Sequence, residues 1–67
     1  MTHPKITGEW TRADDSSNHL EVAPTEEQGV YAMRDSFAPQ EVLFATTKQI
    51  RNFADAVEKG RMRSLLR

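Results

Sequence analysis

Hydrophobic and polar residues in the middle of the chain alternate with the two-residue period of a β-strand. Residues 20–23 and 30–35 each place apolar side chains on one face, which is typical of half-buried antiparallel strands. Pro24 ends the first of these strands, and a polar connection over residues 25–29 joins the two into a hairpin. A third strand is predicted over residues 41–45, of which 42–45 are apolar, and it follows a turn over residues 36–40, so the pattern predicts a second hairpin.

After residue 46 the hydrophobic spacing changes to that of an α-helix. We predict one helix over residues 47–59. Its apolar stripe is expected to lie across the sheet, which would give Phe53 and Val57 core positions. The stripe recurs at intervals of three and four residues: Ile50, Phe53, Ala54 and Val57.

Both ends of this predicted helix carry residues that commonly close a helix. Thr46 and Gln49 fit the capping box, in which each side chain accepts a hydrogen bond from a free backbone N–H. Gly60 stands where many helices end in a left-handed residue. The predicted fold is therefore α+β: a small antiparallel β-sheet of three to four strands, with two hairpins, packed against one C-terminal α-helix.

The two ends of the chain are less regularly patterned. Residues 1–8 predict a flexible lead-in, residues 9–62 a single domain, and residues 63–67 a basic tail. Trp10, the one tryptophan, predicts the start of a further strand with its indole in the core. Residues 12–18 predict a loop, because their short polar side chains bond backbone groups outside regular structure.

With 67 residues, the chain is near the lower limit at which one hydrophobic core can hold a fold. It contains no cysteine, so disulfides and thiolate metal sites are excluded as sources of stability. Self-association to a homodimer would help to stabilise a chain with so small a core. No apolar run approaches the roughly 20 residues that span a bilayer, and the start lacks a signal-peptide pattern. We therefore expect a cytoplasmic protein without membrane contact.

The net charge of −1 conceals an asymmetry along the chain. Residues 1–41 carry three basic and eight acidic side chains, whereas residues 42–67 carry six basic and two acidic ones. The basic end leaves open a nucleic-acid-contacting domain that uses Arg61, Arg63 and Arg67. The acidic front and a pI of about 6.1 argue against direct nucleic-acid binding. A solvated helix face with a frayed tail is the simpler interpretation.

The residue types that perform catalysis are scattered. His3 and His19 lack the serine, cysteine or carboxylate pattern of a catalytic triad, and no phosphate-binding glycine loop or zinc-protease motif is present. Asp14 and Asp15 are adjacent carboxylates without a spaced third ligand, which is typical of a solvated loop. We therefore expect no enzymatic activity, no metal and no cofactor.

Many of these positions, taken in order, also form a recognisable combination. They are Trp10, Asn18, Leu20, Glu21, Val22, Ala23, Gly29, Val30, Arg34, Asp35, Ser36, Pro39, Val42, Leu43, Thr46, Phe53, Val57 and Gly60. The combination, which runs to about Met62, resembles the actinomycete domain of unknown function family 397, which includes the BldB-type developmental regulators. The chain departs from the family's pattern at His19, Ala45, Thr47, Ile50 and Met62.

The resemblance implies a small non-enzymatic regulatory protein that acts with a helix-turn-helix transcription regulator in development or secondary metabolism. An acidic domain is suited to binding such a basic partner. We expect the contact surface where the second strand ends, because Tyr31, Arg34, Asp35 and Phe37 combine aromatic side chains with a charged pair. The alternative is that Arg34 and Asp35, with Ser36, only hold the turn.

Overall fold

The computed structural model describes residues 3–66, so residues 1 and 2 of the predicted lead-in and residue 67 of the predicted tail lie outside the described residues. Its elements are β1 (Thr11–Arg12), β2 (Leu20–Pro24), β3 (Val30–Asp35), β4 (Leu43–Thr46) and α1 (Thr47–Glu58). The strands form one antiparallel sheet in the order β1-β2-β3-β4. The predicted α+β fold, with a small antiparallel sheet and one C-terminal helix, is confirmed.

Two successive hairpins build most of the sheet. Gly29 turns the chain between β2 and β3 with a φ of 83°, a conformation that glycine adopts without the steric cost of a side chain. The predicted bounds of β3 are confirmed. The next strand begins at Leu43 rather than at residue 41, because the Glu41 N–H donates to the Ala38 carbonyl at 3.0 Å and so belongs to the preceding turn.

The register assigns the strand residues to two faces. Val22 lies opposite Met33, and Met33 lies opposite Leu43, so these three side chains share the first face. Glu21 lies opposite Arg34 on the second face. Ala23 and Ala32 also lie opposite each other on the second face.

The residues before β1 run against the end of β2. Ile6 forms an antiparallel bridge with Thr25, and the Thr7 N–H donates to the Pro24 carbonyl at 3.1 Å. This segment belongs to the predicted lead-in, and its backbone bonds attach it to the β2–β3 hairpin.

Both helix caps are formed as predicted. Thr46 Oγ1 accepts from the Gln49 N–H at 3.1 Å, and Gln49 Oε1 accepts from the Thr46 N–H at 2.9 Å. At the C-terminal end Gly60 has a φ of 82°. The Arg61 N–H donates to the Ala56 carbonyl at 3.0 Å, the bond that characterises a Schellman motif.

The helix does not close over the sheet. Phe53 and Val57 are 55% and 41% exposed, so the prediction that they occupy core positions is wrong. Helix α1 begins directly after β4 without an intervening residue, and β4 is its main tertiary contact. It therefore stays beside this edge strand. Separately, no helix in the described part of the chain is long and apolar enough to cross a membrane.

The fully buried core of residues 3–66 consists of two small side chains, Ala23 and Ala32. Trp10 precedes β1 instead of starting a strand, and it is half-buried beneath Arg34 rather than enclosed in the core. The core role predicted for this tryptophan is therefore corrected. Two alanines bury little apolar area, so most hydrophobic contacts in this fold involve partly exposed side chains.

Candidate functional site: an apolar groove between the sheet and the helix

An open groove of about 530 Å³ separates the first face of the sheet from helix α1. Leu20, Met33 and Leu43 line it from three neighbouring strands. Ile50 and Phe53 line it from the helix, where they lie three residues apart and so share one face. The strand period and the helix period thus bring apolar side chains together from three strands and one helix.

The apolar side chains of this groove are largely accessible to solvent. The exposed fractions are 53% for Leu20, 63% for Leu43 and 55% for Phe53. Exposed apolar side chains grouped in a groove are a feature of protein–protein and ligand-binding sites. The groove is therefore the best-defined candidate for a binding surface on this chain.

Two carboxylates stand at the edge of the groove. Asp35 is the last residue of β3, and Glu41 lies just before β4; both contribute to the lining. Asp35 Oδ1 accepts from the Phe37 N–H at 3.2 Å, and Phe37 itself is 72% exposed in the turn that follows. The groove is thus apolar at its centre and acidic at its edge.

Arg34 also borders the groove, but its guanidinium is engaged on the second face of the sheet. Its Nε donates to Glu21 Oε1 at 2.7 Å, and its Cζ lies 3.9 Å from the centre of the Trp10 ring. The positive charge of this side chain is therefore directed to Glu21 and Trp10 and does not neutralise the groove carboxylates.

The ion pair of Arg34 extends into a short polar network. His19 Nε2 lies 2.9 Å from Glu21 Oε2, and His19 Nδ1 lies 2.9 Å from the Ser16 carbonyl oxygen. A protonated imidazole donates to both acceptors. The hydrogen bond to Glu21, followed by that to Ser16, raises the pKa of His19. The hydrogen bonds from Arg34 and then His19 lower the pKa of Glu21.

The structure brings together only part of the contact surface that the sequence predicts. Tyr31 lies on the first face, opposite Ala45, whereas Arg34 lies on the second face. Asp35 and Phe37 are neighbours at the turn. Arg34 contacts Glu21 and Trp10 on the second face, so its contacts link strands rather than hold the turn, which is the role that the alternative interpretation expects.

Asp35 and Ser36, the other two residues of that alternative, do form hydrogen bonds at the turn. Besides the bond from Phe37 to Asp35, Ser36 Oγ accepts from the His19 N–H at 3.0 Å. The Ala38 N–H donates to the Asp35 carbonyl at 3.0 Å. These bonds fix the turn in which Phe37 is presented to solvent.

The exposed large apolar residues of the groove, Leu20, Leu43 and Phe53, are absent from the predicted contact surface. Their spacing is that of any half-buried strand or amphipathic helix, so periodicity alone assigns them to an ordinary core. The number of helices and strands is the one feature of the sequence that could have indicated their exposure. A single helix that directly follows an edge strand leaves little else to cover the first face of the sheet.

Within residues 3–66, no three side chains of histidine, aspartate or glutamate lie in a group that could hold a metal ion. In comparisons with protein-family models, curated proteins and solved structures, nothing matched the chain. The resemblance to the actinomycete family consequently stays a prediction based on the residues quoted for it.

Proposed function

We propose that this chain is a small, non-enzymatic protein-interaction module: a cytoplasmic accessory regulator that binds a helix-turn-helix transcription regulator in actinomycete development or secondary metabolism. The observation that carries the protein-binding part is the exposed apolar groove between the sheet and α1. The class of partner is taken from the family resemblance.

The physical argument for a protein partner combines the groove with its acidic edge. When a complementary surface covers exposed apolar area, the free energy falls by about 25 cal/mol per Å² removed from water. Asp35 and Glu41 favour an approaching surface that is basic, as the surfaces of DNA-binding proteins are. Phe37, next to this edge, offers a further aromatic contact.

The test is direct binding between purified proteins. Helix-turn-helix regulators from the same genome are each titrated with the full chain by isothermal calorimetry, beginning with one encoded beside its gene. We expect one of them to bind, and Leu43→Glu to weaken that binding while Leu65→Glu leaves it unchanged. Leu65 is a suitable control because it is 79% exposed and lies outside the groove. If none of the regulators binds, the proposal fails.

Nucleic-acid binding through the basic tail receives less support. The Arg63 guanidinium lies close to the end of the helix, because a Cβ atom placed on Gly60 would be 2.7 Å from Arg63 Nη2. A cation at this position interacts favourably with the C-terminal end of the helix dipole. This local role accounts for Arg63, and Arg67 lies outside the described residues.

A further inference from the structure

The chemistry of the groove indicates which part of a partner it accommodates. We propose that the groove binds a basic amphipathic helix, whose apolar face contacts Leu20, Leu43 and Phe53 and whose lysines or arginines approach Asp35 and Glu41. This inference rests on the proposed function and specifies the segment of the partner that is bound.

The size and lining of the groove suit one face of a helix. The groove is open, has a volume of about 530 Å³ and is lined mostly by apolar side chains. An amphipathic helix presents apolar side chains at positions i, i+3, i+4 and i+7, and proteins that bind such helices receive them in apolar grooves. Leu43 on the sheet and Phe53 on the helix expose the apolar surface that such side chains would cover.

The charge of the groove selects for a basic helix. Asp35 and Glu41 both border it, and the one arginine in the lining, Arg34, donates to Glu21 on the opposite face. A lysine or arginine beside the apolar face of the bound helix would therefore meet carboxylates that the Arg34 guanidinium does not neutralise. An acidic helix would meet like charge at the same two positions.

The same carboxylates argue against a second copy of this chain as the occupant. In a twofold-symmetric dimer each groove would face the other, and any pairing that brings Asp35 or Glu41 near the twofold axis would set like charges against each other. Like charges in close apposition disfavour such a contact. A head-to-tail contact would avoid this repulsion, but it leaves one groove free and allows further copies to add.

The first experiment measures binding of designed peptides to the full chain by fluorescence anisotropy. The probe is a labelled peptide of about 18 residues with leucines at i, i+3, i+4 and i+7 and lysines and arginines on the flanking positions. The matched control peptide keeps the leucines and carries glutamates at the flanking positions. We expect the basic peptide to bind at least about tenfold more tightly, and its advantage to shrink as salt is added.

The second experiment places the peptide in the groove by substitution. Leu43→Glu and Phe53→Glu should each weaken binding of the basic peptide by about tenfold or more, because each puts a charge on the apolar contact surface. Leu65→Glu is the matched control and should bind as the unaltered chain does. Circular dichroism verifies that each variant is folded. The double variant Asp35→Asn, Glu41→Gln should lose less affinity for the basic peptide than Leu43→Glu or Phe53→Glu does, and its binding should depend less on salt.

Three results would overturn the inference. The first is binding of the acidic peptide as tight as that of the basic one. The second is binding of the basic peptide to Leu43→Glu and Phe53→Glu as tight as to Leu65→Glu. The third is a dimer in sedimentation that Leu43→Glu and Phe53→Glu each convert to a monomer, which would mean that a second copy occupies the groove.

Competition separates this inference from the proposed function. If a helix-turn-helix regulator binds the chain and the basic peptide displaces it, both proposals are supported. A regulator that binds equally well to the Phe53→Glu variant and is not displaced would leave the proposed function standing and overturn the groove as its site. If no regulator binds but the basic peptide binds tightly and its binding depends on Leu43 and Phe53, the proposed function fails and the groove stands as a site for a basic helix.

Discussion

The guanidinium of Arg34 lies over the ring of Trp10, with its Cζ 3.9 Å from the ring centre. Arg34 belongs to β3, whereas Trp10 precedes β1, so the contact reaches across the intervening strand β2. Glu21 of β2 accepts from Arg34 Nε at 2.7 Å and completes the connection. Three separate parts of the chain are thus joined on the second face of the sheet.

Replacing Arg34 by glutamine should destabilise the fold by about 1 kcal/mol, because the cation–π contact with Trp10 is lost together with the charge that faces Glu21. The measurement is the urea dependence of tryptophan fluorescence, since Trp10 is the one tryptophan. Arg51→Gln, on the exposed outer side of α1, is the control and should change the unfolding midpoint little. Equal effects of the two substitutions would refute this role of Arg34.

The network around Glu21 predicts a pH dependence of stability. The pKa of His19 is raised above its ordinary 6.5, chiefly by the hydrogen bond to Glu21. A group whose pKa is higher in the folded state contributes stability that is fully present below the unfolded value. We therefore expect the contribution of His19 to be lost as the pH rises from 6.5 through the raised value. The pKa of Glu21 is lowered from 4.5, so its contribution is present above pH 4.5 and lost as the pH falls through the lowered value.

Urea midpoints measured from about pH 5 to pH 8 test the histidine part of this prediction. The stability of the unaltered chain should decline over the upper part of the range, and His19→Gln should remove that part of the decline. His3→Gln is the matched control, because His3 stacks on Phe44 with ring centres 4.6 Å apart and takes no part in the His19–Glu21 pair. A decline that persists unchanged in His19→Gln would contradict the assignment.

Gly60 predicts a specific cost of substitution at the end of α1. Alanine there should destabilise the fold by about 1 kcal/mol, because a φ of 82° is strained for a residue with a Cβ. Gly60→Asn should recover part of the loss, since asparagine tolerates left-handed backbone better than alanine does. Thermal unfolding followed by circular dichroism distinguishes the two, and equal melting temperatures would argue against backbone strain as the cause.

The sequence predicted features whose causes are local. The capping box of Thr46 and Gln49, the left-handed Gly60 and the bounds of β3 all depend on residues close together in the chain, and all are confirmed. The burial of Phe53 was predicted wrongly for a different reason. Periodicity shows that an element has an apolar face, but the position of α1 relative to the sheet decides whether that face is covered.

The residues of the candidate site could also be predicted from the sequence only in part. Asp35 and Phe37 could be selected from the sequence because a charge and an aromatic residue stand next to each other in a turn. The contribution of Leu20 and Leu43 depends on strand register and on the open space beside α1, neither of which is encoded in a short motif. Arg34 was predicted to face a partner, and its engagement by Trp10 depends on residues 24 positions apart along the chain.

Substitutions on the two faces of the sheet should differ sharply in their effect on stability. Ala32 is fully buried, so Ala32→Leu should overfill its site and cost about 1–3 kcal/mol. Leu43 is 63% exposed in the groove, so Leu43→Thr, which keeps a residue suited to a strand, should change the free energy of unfolding by no more than about 0.5 kcal/mol. Both values follow from urea unfolding of the isolated chain.

This comparison also tests whether the groove is open in solution. Leucine at position 43 would contribute strongly to stability if another part of the chain, or a second copy, covered it. A loss of 2 kcal/mol or more for Leu43→Thr, in the range of buried leucine truncations, would therefore contradict an open groove. Repeating the measurement at several protein concentrations distinguishes the two causes, because burial by a second copy makes the apparent stability rise with concentration, whereas closure within one chain does not.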